Sequence, residues 1–195
     1  MRRSRAALAL AGCGAASLVL AGVMLTRPGS GASEAPQIGG PFTLTDGAGR
    51  RVSDRDFRGV WKLVYFGYTH CPDVCPTTLG DIGAALDRLP ANIRAHYRVL
   101  FVTVDPARDT PPVMAAYTHA FGPEFVGLTG GPADLGPMEN SFHVYARRRD
   151  LKGGYYALDH SSIIYVMRPD GSFAGLLDDG MKPSDLAKRL IGFGA

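Results

Sequence analysis

The chain has 195 residues, enough for one domain with a sizeable core plus a short appendage. Its formal charge of +3 is misleading: Arg2, Arg3, Arg5 and Arg27 all precede Pro28, and without them 17 basic residues face 18 acidic ones. A domain this close to neutral gives no reason to expect a nucleic-acid partner.

The first 28 residues read as a membrane anchor. Arg2, Arg3 and Arg5 precede an uncharged run from Ala6 to Thr26, and Arg27 closes it. That run is long enough to cross the roughly 30 Å hydrocarbon layer as a single helix. The excess of arginines on the near side favours a cytoplasmic N-terminus, with the rest of the chain across an inner membrane in a periplasm. Two other readings exist: a cleaved signal with its small-residue site around Ser30-Gly31-Ala32, and a lipobox at Leu10-Ala11-Gly12-Cys13. The apolar stretch before Cys13 is very short and continues after it, which argues against lipidation. Residues 29–40 read as a flexible Gly/Ser/Ala/Pro linker, and 41–195 as the folded domain.

Within the domain, Phe42-Thr43-Leu44-Thr45 and Arg50-Arg51-Val52-Ser53 flank Asp46-Gly47-Ala48-Gly49, a β-hairpin pattern. Val60 to Phe66 is an apolar run of the kind buried on both faces of a sheet. Thr77 to Leu89 has helical spacing, with Leu79, Ile82, Leu86 and Leu89 on one face. Val99 to Val104 is a second buried strand, Pro111 to Phe121 a helix, Phe125 to Leu128 a short strand and Pro132 to Phe142 a helix. Arg147-Arg148-Arg149 reads as a solvated strand end. Ser162–Met167 and Ser172–Leu177 flank the turn Pro169-Asp170-Gly171, and Pro183 to Ile191 closes the chain as a helix. A βαβ unit followed by a ββα unit predicts an α/β fold of the thioredoxin arrangement with helices on both sheet faces, preceded here by the hairpin.

The chemistry concentrates at the end of the first buried strand. Cys71 and Cys75 stand four apart in Tyr68-Thr69-His70-Cys71-Pro72-Asp73-Val74-Cys75-Pro76, at a strand-to-helix junction. A helix N-terminus stabilises negative charge, so both thiols are expected to ionise more easily than a free cysteine. Two thiols alone make a redox pair. However, three residues separate them rather than the two of a thioredoxin motif, which leaves room to bracket a metal ion while still allowing a disulfide. A structural bridge is the weaker reading, because so small a loop constrains little of the unfolded chain. His160, just before Ser162–Met167, is placed by such a sheet near the cysteine loop. Two thiolates and an imidazole form a soft donor set that suits Cu(I), with the imidazole accommodating Cu(II). No fourth protein ligand for zinc is evident. His70 reads as a loop residue and His96, His119 and His143 as surface or packing residues. Met114, Met138 and Met167 fit core positions.

The run Tyr68–Pro76 resembles the signature of the Sco/SenC copper chaperones. Thr103-Val104-Asp105-Pro106-Ala107-Arg108-Asp109-Thr110-Pro111 is similar to that family's second block and Asp159-His160-Ser161 to its third, in the same order. The resemblance spans about Phe42 to Ile191. It implies a membrane-tethered thioredoxin-fold protein with copper on Cys71, Cys75 and His160. It also implies a role in assembling the Cu_A centre of cytochrome c oxidase subunit II, with another copper chaperone or a thioredoxin-like reductant as a further partner. On this reading Asp159 orients His160, and Asp105 supports the site or docks a partner; Asp105 as a loop cap after its strand is the plainer alternative. Two classes of activity stay open: a copper carrier without catalytic turnover, and a thiol–disulfide oxidoreductase that reduces the Cu_A cysteines. The second needs the redox pair Cys71–Cys75 but not the imidazole.

Overall fold

A computed structural model of the chain describes residues 37–194. The anchor expected over residues 1–28 and the linker up to residue 36 lie outside the described residues. Among the described residues no helix is long and apolar enough to cross a membrane.

The expected N-terminal hairpin is present as β1 (Thr43–Asp46) and β2 (Arg51–Ser53), with Leu44 opposite Val52. Asp46 closes its turn, one carboxylate oxygen accepting from the Ala48 and Arg50 backbone N–H groups at 2.9 Å each. A 3-10 turn over Asp54–Phe57 then leads to β3 (Trp61–Gly67), whose seven residues are all buried.

The chain next alternates helix and strand. Helix α1 (Val74–Leu86) and the single turn α2 (Ala91–Arg94) lead to β4 (Tyr97–Thr103). Helix α3 (Pro111–His119), β5 (Phe125–Thr129) and α4 (Pro132–Ser141) follow. A separate antiparallel ribbon, β6 (Ala146–Asp150) with β7 (Tyr156–His160), precedes the hairpin of β8 (Ile163–Met167) and β9 (Phe173–Asp178). Helix α5 (Pro183–Gly192) ends the described chain. The hairpin turn falls at Pro169-Asp170-Gly171 as expected: the Gly171 N–H donates to the Arg168 carbonyl at 2.9 Å, and Gly171 adopts φ +95°, which glycine tolerates without a Cβ clash.

Seven strands form one mixed sheet in the order β2-β1-β5-β4-β3-β8-β9. Strands β3, β4 and β5 run parallel, while β8 pairs antiparallel with β3. Alternate residues of β3 feed two separate apolar layers. Leu63 and Tyr65 join Leu79, Ile82 and Leu86 of α1 and Leu186 and Leu190 of α5. Val64 and Phe66 join Leu135 and Met138 of α4 on the opposite face, with Phe142 and Tyr165. Both faces are therefore covered, which explains why β3 and β4 read as unbroken apolar runs. The βαβ unit β3-α1-β4 and the ββα unit β8-β9-α5 confirm the thioredoxin-like arrangement.

Two details differ from the sequence reading. Helix α1 starts at Val74 rather than Thr77 and ends at Leu86 rather than Leu89, so Cys75 lies inside its first turn. The β6–β7 ribbon was not expected as a unit. Every residue of β6 is exposed, so its pattern Ala-Arg-Arg-Arg-Asp carries no apolar alternation to betray a strand.

Leu79, four residues after Cys75 and wholly buried, fastens the cysteine helix to the sheet. Leu79→Ala is expected to cost about 2–5 kcal/mol. Equilibrium denaturation curves of the two forms would measure it.

Candidate metal centre

The site sits where β3 ends and β8 begins. Because these strands are antiparallel neighbours, with Tyr65 opposite Ile164, the segment leaving β3 and the segment entering β8 meet at one edge of the sheet. The first carries Cys71 and Cys75, and the second carries His160.

The cysteine loop is fastened from beneath by a buried carboxylate. Asp109, fully buried in the β4–α3 connection, accepts from the Thr69 N–H at 3.1 Å, the Thr69 hydroxyl at 2.6 Å and the Thr103 hydroxyl at 2.6 Å. Hydrogen bonds to an ionised group are the stronger kind, so this cluster is a firm anchor. The Cys71 N–H donates to the Tyr68 carbonyl at 3.2 Å, and the Cys75 N–H points at the Cys71 sulfur at 3.5 Å. His70 is an exposed loop residue as expected, its Nδ1 3.1 Å from the Thr69 hydroxyl. His96, His119 and His143 are exposed and away from the site. Met114, Met138 and Met167 are buried.

Cys71, Cys75 and His160 come together as the sequence predicted. Their ligand atoms all lie within 4.8 Å of one another, and the Cys75 sulfur is 3.4 Å from His160 Nε2. His160 Nδ1 is 3.0 Å from the Ser161 carbonyl. A carbonyl only accepts, so the ring proton belongs on Nδ1, and the Nε2 lone pair faces the sulfurs. The edges of Tyr65 and Tyr68 hold the ring, at centroid distances of 6.4 and 5.8 Å. Both cysteines are free thiols.

The expected easy ionisation does not hold for Cys75. Burial pushes its thiol well above the ordinary cysteine range; the Tyr68 backbone N–H opposes this, and the neighbouring Cys71 adds to it. Cys75 is wholly buried within the first turn of α1 rather than standing at its open end, so desolvation outweighs the helix dipole. Cys71 is half-buried at the mouth of the site. The packing around Cys75 is tight enough to dictate the residue beneath it. A Cβ at position 67 would stand 2.7 Å from the Cys75 sulfur and 2.8 Å from the Phe101 ring, so only glycine fits there.

The ribbon that ends in His160 is clamped separately. Asp105, buried, accepts from the Tyr156 hydroxyl at 2.8 Å and from Arg108 Nε. The Arg108 guanidinium lies 3.7 Å over the Tyr156 ring and also donates to the Tyr156 carbonyl at 3.3 Å. The Tyr68 hydroxyl accepts from the Leu158 N–H at 3.3 Å. Asp105 thus ties the β4–α3 loop to the strand that presents the imidazole. Asp159 is placed differently from expectation. Its carboxylate takes Arg149 Nε at 3.3 Å on the exposed side of the ribbon, and the Ser161 carbonyl holds the His160 ring instead.

Sequence reasoning named the three donors but missed Asp109, Arg108, Tyr65, Gly67 and the Ser161 carbonyl. Asp109 and Arg108 lie within a polar run that directly follows a buried strand, which is a signal for a loop that organises a site. Gly67 and the Ser161 carbonyl act through the backbone, which carries no side-chain signature, and Tyr65 reads in the sequence as one more apolar residue of a buried strand. Two soft sulfurs and one imidazole nitrogen match the preferences of copper, and the Ser161 carbonyl leaves Nε2 free to serve as a donor.

The family model described as SCO1/SenC matches residues 30–193. The chain belongs to the SCO1/SenC family. Among SCO1/SenC relatives, protein sco1 of Schizosaccharomyces pombe is 40% identical over 158 residues, covering 80% of this chain and 60% of that protein. Protein SenC of Rhodobacter capsulatus is 40% identical over 162 residues, covering 83% of this chain and 72% of that one. The chain therefore spans less than two thirds of the fission-yeast relative. In structure it is similar to Bradyrhizobium japonicum ScoI with copper bound, at TM-score 0.74 and 40% identity, over 80% of this chain and 99% of that one.

Gly67→Ala is expected to push the Cys75 sulfur out of line while leaving the fold cooperative. The expected reading is a metal affinity lowered by at least about tenfold, comparable to loss of a supporting partner. Competition titration beside a thermal melt would separate the two effects.

Proposed function

We propose that the protein is a copper metallochaperone: it binds one copper ion through Cys71, Cys75 and His160 and passes it to the Cu_A centre of cytochrome c oxidase subunit II. Copper is the cargo, carried as Cu(I) or Cu(II). Residues 1–28 anchor the protein as a single inner-membrane pass, residues 29–40 act as the tether, and the domain from residue 41 works in the periplasm. The copper arrives from another copper chaperone, and a thioredoxin-like reductant keeps Cys71 and Cys75 as thiols.

The observation that carries this reading is the preset trio. The imidazole is turned by the Ser161 carbonyl so that its free nitrogen meets the Cys75 sulfur at 3.4 Å. A reductase's redox couple needs only the two thiols, whereas a metal site needs the nitrogen as a third donor. The copper-bound Bradyrhizobium structure, similar over 80% of this chain, supports the same assignment. The site also suits release. Cys75 is buried and Cys71 half-exposed, so an acceptor's thiolate would meet the metal from the Cys71 side. Copper would then move by stepwise ligand exchange, with no group left bare.

Copper titration of the reduced chain beside Cys71→Ser, Cys75→Ser and His160→Ala tests the proposal. The expected result is one copper per chain, with each substitution weakening binding by at least about 100-fold, the upper range for a lost supporting partner. His160→Ala is expected to leave Cys71–Cys75 disulfide exchange largely intact. Equal loss of both activities, or no stoichiometric copper, would count against the chaperone reading.

A further inference from the structure

One buried polar atom beside the site stands without a partner. The Tyr65 hydroxyl is shut off from solvent, and although Thr78, Ser162 and the Cys75 sulfur lie near it, none pairs with it at hydrogen-bond geometry. A buried unpaired hydroxyl is costly, so its presence calls for a state in which it is paired. Tyr65 lies two residues before Gly67 on β3, on the same face, and Gly67 lies directly under the Cys75 sulfur. The Tyr65 side chain therefore runs beneath α1 towards Cys75, with Thr78 and Ser162 as its other polar neighbours. Its ring meets His160 edge-on, at 77°. The Tyr117 hydroxyl and Arg108 Nη2 are also buried and unpaired, but of these three groups only Tyr65 has a described ring contact with His160.

We infer that Tyr65 is a positioning residue for the metal-bound state: its hydroxyl donates a hydrogen bond to the Cys75 sulfur once that sulfur is a metal-bound thiolate. A neutral thiol is a poor acceptor, whereas a thiolate is a good one. The orphan donor is thus the counterpart of a charge that arrives with the metal. A hydrogen bond to a ligating sulfur draws electron density from it, which changes the metal–sulfur bond without adding a ligand. This inference rests on the metal-binding reading above.

Tyr65→Phe removes only the oxygen and keeps the ring against His160. Without metal, the variant is expected to melt at or above the wild-type temperature, because it loses an unpaired polar group. With Cu(II), its sulfur-to-copper charge-transfer bands are expected at longer wavelength, and its affinity is expected to fall roughly tenfold, the low end for an outer partner. The same pair is measured with Cd(II), a soft ion whose thiolate bands report on the same sulfur. A lower melting temperature without metal, or unchanged bands and affinity with both ions, overturns the role of Tyr65. If the wild type takes up Cd(II) but no copper, the copper reading fails and Tyr65 is judged on the cadmium bands. Failure to bind either ion overturns both.

Discussion

Antiparallel pairing of β3 with β8 is the constraint on which the site depends. The donors come from segments far apart in the chain, and neither segment makes a metal site alone. A strand leaving the sheet at one edge and its antiparallel neighbour entering at the same edge need no loop to reach each other. With Tyr65 opposite Ile164, the residues just after β3 and just before β8 are held together by the sheet's hydrogen bonds. A one-residue slip of that pairing would turn every side chain of β8 to the other face and carry His160 away from the sulfurs.

The sheet sets the meeting point, and two polar clusters set the distances. Asp109 holds the cysteine loop through Thr69 and is itself held by Thr103. Asp105 and Arg108 hold the His160 ribbon through Tyr156. Both carboxylates belong to the β4–α3 connection, so one loop braces both halves of the site. Buried hydrogen bonds to charged groups are worth roughly 1.5–3 kcal/mol each, so both segments are held firmly in place. Preorganisation of this kind lowers the ordering cost of binding at the proposed three-donor site. An open coordination position is what a carrier needs if a second protein is to remove the metal.

Much of this was legible before any coordinates. The apolar runs of β3 and β4, the spacing of Leu79, Ile82 and Leu86, and the turn at Pro169-Asp170-Gly171 each reported their own structure. The two cysteines and His160 were readable as donors because their side-chain chemistry is rare and specific. What stayed hidden has physical reasons. The β6–β7 ribbon is exposed along β6, and a strand with no buried face leaves no periodicity. The depth of Cys75 depends on helix α1 starting three residues earlier than the spacing suggested, which moved a thiol from an open helix end into the core. The Ser161 carbonyl orients His160 where Asp159 was expected to, because backbone acceptors are the same at every residue and carry no sequence signal. Asp159 instead pairs with Arg149 across the ribbon.

Everything in the proposed function turns on whether the fold presents two sulfurs and one imidazole nitrogen to a single ion. X-ray absorption at the copper edge of the copper-loaded chain measures that donor set directly. The expected result is a first shell of two sulfurs and one imidazole nitrogen, with the imidazole scattering lost in His160→Ala. A shell of sulfur alone in the unaltered protein, indifferent to that substitution, would contradict it.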